Sequence, residues 1–224
     1  MGKYVLRPDS IRKLFDTVAP SYDFLNRLLS VRRDVSWRRE AVGELRGTTG
    51  WILDLATGTG DVALEAIRQA TGDRRVIGID FSEVMIRAAN RKILRRRLSK
   101  TICLGLGDGV ALPFRDNYAD IIVSRGSFHF WKDQEQAFKE IYRVLKPGAA
   151  AYIGRGFSPN LPVETARKIR SERGGKVKYD VDKTADELRG IMNTLGIAEY
   201  TIHRPKSAGD EDVNYGVWVE FHKK

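Results

Sequence analysis

The sequence predicts an α/β fold: a mostly parallel sheet with helices on both faces, an antiparallel last strand and helices leading in at the N-terminus. Three observations predict it. From residue 51 onward, short apolar runs alternate with helical patterns, and parallel strands need such crossovers between them. The first run breaks into a glycine turn, Gly58 and Gly60, from which a helical pattern starts at Asp61. The last two runs are joined by the hydrophilic stretch 205–212, a hairpin connection that reverses the chain.

The elements follow in order. Ile11, Leu14, Phe15 and Val18 recur at helical spacing, as do Tyr22, Leu25, Leu28 and Leu29, with a break at Pro20-Ser21. Strands are predicted near 51–55, 75–79, 101–105, 119–124 and 149–154, and helices near 61–71, 82–98 and 133–145. Ser82 is the predicted N-cap of the second of these helices. Lys146-Pro147-Gly148 reads as a helix-ending turn into the fifth strand. Residues 155–183, rich in Gly, Pro and basic side chains, read as a lid, a substrate loop or a surface excursion around a short helix at 162–172. A helix near 184–195 stops at Gly196, and strands near 197–204 and 214–221 make seven. The organisation expected is one domain: a helical cover (1–46), a core (47–154), then a lid with the closing strands (155–224).

Composition narrows the setting. The 42% hydrophobic content is that of a globular chain, and no apolar stretch approaches the ~20 residues of a membrane span. No signal-peptide apolar region opens the sequence. Cys103, the one cysteine, lies in an apolar run and is expected to be a buried, inert thiol in a reducing, cytoplasmic setting. The net charge of +10, from 39 basic and 29 acidic residues, implies attraction to an anionic surface or substrate. The cluster Arg91, Lys92, Arg95, Arg96 and Arg97 falls near a helix C-terminus, where cations complement the dipole, so a solvated face is expected there.

The first strand and its turn carry the chemistry. Asp54 precedes Ala56-Thr57-Gly58-Thr59-Gly60, and a second strand ends in Asp80, twenty residues after Gly60. A helix N-terminus behind a glycine turn offers free N–H groups to an anion, and an acid ending the second strand suits ribose hydroxyls. Gly58-x-Gly60-x-x-Ala63 formally satisfies the dinucleotide pattern. A pyrophosphate is disfavoured, because Asp54 suits an ammonium and no Lys or Arg stands in or just after the turn. A ligand with an amine, a carboxylate, a ribose and an adenine fits this mixture: S-adenosyl-L-methionine (SAM).

With these residues in place, the chain resembles the class I SAM-dependent methyltransferases, most closely the ubiquinone/menaquinone biosynthesis C-methyltransferase family. Four segments carry the resemblance: Phe15-Asp16-x-Val18-Ala19-x-x-Tyr22-Asp23-x-x-Asn26 with Ser30 and Trp37; Asp54 to Asp61; Asp108-Gly-Val-Ala-Leu-Pro-Phe114 with Asp120; and Arg143-Val-Leu-Lys-Pro-Gly148. The resemblance implies a Rossmann-like seven-stranded methyltransferase sheet. It implies that Gly58 and Gly60 contact the methionine part of the cofactor, Asp80 the ribose, and Asp108, with Gly109 beside it, the adenine. Tyr22 would reach the methionine end, and Phe81 and Met85 either pack on adenine or belong to the core. The chain has Leu25, Asp34 and Arg155-Gly156 where the family usually has methionine, histidine and an acid shortly before a serine.

Ser124-Arg125-Gly126-Ser127-Phe128-His129-Phe130-Trp131 follows the fourth strand, at the edge where open α/β sheets bind ligands. His129 is the candidate general base for a hydroxyl or hydroquinone, or else an aromatic packing residue. Arg125 and Arg155, at the ends of neighbouring strands, either recognise an anionic group on a small-molecule substrate or pair with Asp120, Glu140 or Glu164. The activity expected is methylation of a small molecule, with a prenylated quinol leading and carbon as acceptor. Another anionic metabolite, or a catalytically silent SAM-binding partner protein, are the alternatives. An anionic membrane surface is an expected peripheral contact; nucleic acid rests on charge alone, with no RNA-binding motif.

Overall fold

In a computed structural model of the chain, the described residues are 10, 12–19, 50–69, 73–156, 164, 180–204 and 216–224. Residues 12–19 form a helix, α1. There follow β1 (Gly50–Leu55), α2 (Asp61–Arg68), β2 (Arg74–Asp80), α3 (Glu83–Arg95), β3 (Ile102–Leu106) and β4 (Ala119–Arg125). A 3-10 turn (Phe128–Phe130), α4 (Gln134–Val144), β5 (Leu145–Arg155), α5 (Val181–Thr194), β6 (Tyr200–His203) and β7 (Val217–His222) complete the order. The seven strands make one sheet in the order β3-β2-β1-β4-β5-β7-β6. The first five run parallel, and β7 runs antiparallel to both of its neighbours. The predicted sheet, including its reversed last strand, is the one found.

Alternation along the strands divides the core into two layers. Leu53 and Leu55 of β1, Ile122 of β4 and Ile153 of β5 pack with Phe138 and Ile141 of α4 and Leu188 and Met192 of α5. Ile52, Val76, Ile121 and Val123 pack on the other face with Ala63 and Leu64 of α2 and Ile93 of α3. The order turns back at β1, with β2 on one side and β4 on the other. Open parallel sheets bind ligands beyond the strand ends at that reversal.

Local signals explain the boundaries. The hydroxyl of Ser82 accepts from the Met85 N–H at 3.2 Å, as predicted, and Asp133 and Asp180 cap α4 and α5 in the same way. The Asp180 cap is why α5 starts at Val181 and not near 184. Gly196, at φ +66, ends α5, and the Ile197 N–H reaches back to the Met192 carbonyl at 2.9 Å. Lys146-Pro147-Gly148 is not a turn ahead of the fifth strand: pairing starts at Leu145 opposite Ala119, is interrupted, and resumes at Ala150 opposite Ile121. Gly148, at φ +78, absorbs that irregularity.

Cys103 corrects the sequence reading, because it is exposed. It lies on β3, an edge strand, and Ile102 and Leu104 take the face turned to α3, so alternation leaves Cys103 on the other face. The 91–97 cluster lies where expected, with Arg91, Arg95, Arg96 and Arg97 exposed and Lys92 paired to Asp61. Helices beyond residue 19, the short helix and lid at 155–183 beyond a few residues, and the 205–212 connection lie outside the described residues. Among the described residues no helix is long and apolar enough to cross a membrane.

Candidate active site

The turn after β1 is folded by backbone and carboxylate together. Ala56, Gly58 and Gly60 all have positive φ, at 56°, 55° and 79°, a region that glycine enters without strain and alanine does not. Asp80 straps this turn to the next one: its two oxygens accept from the Gly58 N–H at 2.8 Å and the Ser82 N–H at 2.9 Å. Burial raises the Asp80 pKa, opposed by these N–H bonds and reinforced by nearby Asp16. Asp16 belongs to α1 and accepts the Ser82 hydroxyl, so α1 is tied to the same junction.

A cavity of about 330 Å³ opens beyond these strand ends. Ala56, Gly58, Asp80, Phe81 and Met85 line one end, and Gly107, Asp108 and Gly109 of the loop after β3 continue that wall. Arg125, Gly126, Ser127, Phe130, Trp131 and Lys132 line the other end. Phe15 of α1 covers the space between: its ring meets Phe81 edge-on at 6.3 Å and Phe130 at 5.5 Å. A Cβ on Gly58 or Gly126 would meet no protein atom within 4 Å.

Several predicted site residues support the cavity without lining it. Asp54 is 2% exposed and accepts the Thr57 hydroxyl at 2.6 Å, so the two hold the turn from below. Burial pushes the Asp54 pKa up to about 7, against the Thr57 and Ala63 hydrogen bonds and helped by the charges of Asp80 and Asp61. Gly60, 3.0 Å from the Ala89 side chain if it carried a Cβ, serves close packing of the turn on α3. Ser124 is buried, donates to the Leu55 carbonyl at 2.6 Å and shares a bond with Ser127. Tyr22 lies outside the described residues.

The cations and the imidazole separate. Arg125 lines the cavity, whereas Arg155 stands on the next strand, one residue past the Gly154 that pairs with Arg125. His129 does not line the cavity: its ring packs on Phe130 at 4.0 Å, and Nδ1 is buried without a hydrogen-bond partner. Burial first, and the charge of Arg155 second, lower the His129 pKa to about 4. Two of the acids offered as partners for the arginines are engaged elsewhere, Asp120 with Lys146 at 2.7 Å and Glu140 with Arg143 at 2.8 Å. Asp120 also sits five residues before Arg125 on the same strand, roughly 17 Å away.

Phe15, Phe130, Trp131 and Lys132 complete the wall and were not among the predicted site residues. Phe15 was visible as a periodic apolar position, and the aromatic run after β4 as a strand-end segment; nothing in the sequence singles out Lys132. The set as a whole fits SAM. Asp80 and Asp108 are acceptors for hydroxyl and amine hydrogens, Phe81 and Met85 offer flat apolar surface, and the glycine turn leaves open space beside Gly58.

The model of the ubiE/COQ5 methyltransferase family matches residues 3–163. The ubiquinone/menaquinone biosynthesis C-methyltransferase UbiE of Geobacter sulfurreducens is 41% identical over 229 residues, 93% of this chain and 88% of that protein. The protein of the same name from Geotalea daltonii is 40% identical over 154 residues, 68% of this chain; the matched part spans 66% of that protein's length. A Methanococcus maripaludis structure assigned as an S-adenosyl-L-methionine-dependent methyltransferase superposes with a TM-score of 0.75 at 28% identity, over 93% of each chain. The chain belongs to the ubiE/COQ5 methyltransferase family, whose cofactor is S-adenosyl-L-methionine.

Proposed function

We propose that this protein transfers a methyl group from SAM to a ring carbon of a prenylated quinol, the kind of reaction for which its relatives are named. One observation supports this reading above the others. A single cavity joins an acid-and-glycine end suited to the cofactor to an aromatic end, Phe130 and Trp131, suited to a flat apolar acceptor. When bound, SAM supplies an electrophilic methyl group on a sulfonium. The protein's part is to hold, align and dry the reactants, for which neither a nucleophilic side chain nor a metal is needed. Asp80 keeps lone pairs beyond those given to Gly58 and Ser82 and takes ribose hydroxyls. The turn at Ala56 and Gly58 takes the amino-acid end, and Asp108 with Gly109 the adenine edge. Phe15, Phe130 and Trp131 close the apolar walls and exclude water. The positive balance of the chain favours approach to an anionic membrane surface from the cytoplasm, where a prenylated acceptor is held.

The test uses purified protein, methyl-labelled SAM and a whole-cell extract from a source lacking quinone methylation, partitioned into organic and aqueous phases. Label in the organic phase, lost with Asp80→Ala, is the expected result. Label confined to the aqueous phase refutes the quinol and redirects the search to a water-soluble anionic metabolite.

A further inference from the structure

Resting on that reading, one question about the acceptor remains: where its hydroxyl proton goes. A quinol ring carbon becomes nucleophilic when a neighbouring hydroxyl ionises, and a phenol ordinarily titrates near 10. A protein either supplies a base for that proton or stabilises the anion.

The acceptor end of the cavity contains no base among the described residues. Its lining is Arg125, Gly126, Ser127, Phe130, Trp131 and Lys132. The Ser127 hydroxyl is shared with Ser124. His129 turns its ring against Phe130 and does not line the space. The two cavity acids, Asp80 and Asp108, stand at the other end, on β2 and in the loop after β3. Because β2 and β4 flank β1, Asp80 and Arg125 end strands about 10 Å apart. Charge is therefore graded along the cavity, acidic where the hydroxyls and amines of the cofactor belong and cationic where the acceptor enters. Arg155 adds to the cationic end from the next strand, and its field already bears on His129.

We infer that Arg125 and Lys132, backed by Arg155, form a phenolate subsite: the acceptor binds as its anion, and no base among the described residues removes its proton. The O–H bond breaks with its electron pair left on oxygen, and the proton passes to solvent water. The guanidinium of Arg125 suits this task because it stays charged at any working pH. A cation close to an ionising group lowers its pKa by roughly 1–3 units, which brings a phenol into reach of neutral pH.

The experiment titrates a bound phenol and needs no turnover. Protein saturated with S-adenosylhomocysteine is mixed with 1-naphthol, a redox-stable single-hydroxyl ring, and the naphtholate absorbance is followed against pH. The expected result is an apparent pKa about 1–3 units below that of free naphthol. It should move back toward the free value in Arg125→Gln and in Lys132→Gln, and stay low in Arg125→Lys. Lys132 is exposed, so its variant is read even where the Arg125 variant folds poorly. A bound naphthol that titrates like the free phenol overturns the inference and leaves the quinol reading standing. An Arg125→Gln that loses tenfold or more in S-adenosylhomocysteine affinity, with the naphthol pKa unmoved, overturns it too and assigns Arg125 to the cofactor's carboxylate. No saturable naphthol binding to the wild type removes the aromatic-acceptor reading and the inference together.

Discussion

Replacing Asp54 by asparagine should stabilise this protein at neutral pH, and by an amount that grows with pH. Asp54 is buried beneath the glycine turn and its pKa is raised from 3.8 to about 7, chiefly by burial. Between those values the unfolded chain has ionised Asp54 while the folded chain holds the proton, so the native state binds more protons and loses stability as pH rises. At about 1.36 kcal/mol per pH unit the loss reaches roughly 4 kcal/mol by pH 8, is only about half a kcal/mol at pH 4 and vanishes below about pH 3. Asparagine keeps an oxygen for the Thr57 hydroxyl, which lies 2.6 Å from the carboxylate. It cannot accept the Ala63 N–H as well, which costs the variant about 1–3 kcal/mol at every pH, so its advantage opens only as the wild-type loss grows toward neutral pH. Urea unfolding at pH 4.5, 6, 7 and 8, with similar denaturant slopes for both proteins, measures the difference directly. A stability gap between the Asp54→Asn variant and the wild type that does not change with pH refutes the reasoning. A wild type that gains stability relative to the variant on going from pH 5 to pH 8 refutes it more strongly, since that would mean a carboxylate held below its ordinary pKa.

Three other outcomes are expected. Arg155→Gln should raise the His129 pKa from about 4 while leaving it below 6.5, because the larger cause, burial, persists; imidazole NMR titration with no movement would show that the arginine exerts no field there. Asp80→Ala leaves the N–H groups of Gly58 and of fully buried Ser82 without their acceptor, so stability should fall by about 2 kcal/mol and S-adenosylhomocysteine affinity by tenfold or more, read by thermal melting and calorimetry. Gly154→Ala puts a methyl into the Trp218 ring between β5 and β7 and should cost about 3 kcal/mol in urea unfolding; a variant as stable as the wild type would mean that the two strands can separate locally.

The fold was legible because its signals are local. The apolar runs, the glycine turn and Ser82 each act within a few residues, and the sheet with its reversed last strand follows from their order. What escaped was set by distant groups. Whether Asp54 faces the ligand or the turn depends on Thr57 and the first turn of α2, and the sequence pattern is the same for both. Cys103 sits in an apolar run, but β3 is the sheet's edge, and edge position belongs to topology, which a single strand does not encode. Asp120 and Glu140 were open partners for the arginines until the register put them with Lys146 and Arg143. The cavity wall was half legible. The acids and glycines advertise themselves by spacing, whereas Phe15, Phe130 and Trp131 have the ordinary look of core residues, and only tertiary packing turns them toward the cavity.

Helix α1 contributes Phe15 to the roof of the cavity and Asp16 to the hydroxyl of Ser82, the residue that also caps α3 and binds Asp80. The roof and the ribose-side acid therefore share one hydrogen-bonded junction, so an occupant of the space below touches a wall anchored to the same residue that braces its ribose acid. Deleting residues 1–20 removes both contacts at once; the expected result is faster release of S-adenosylhomocysteine from a protein whose seven-stranded sheet is intact, read by stopped-flow release and circular dichroism.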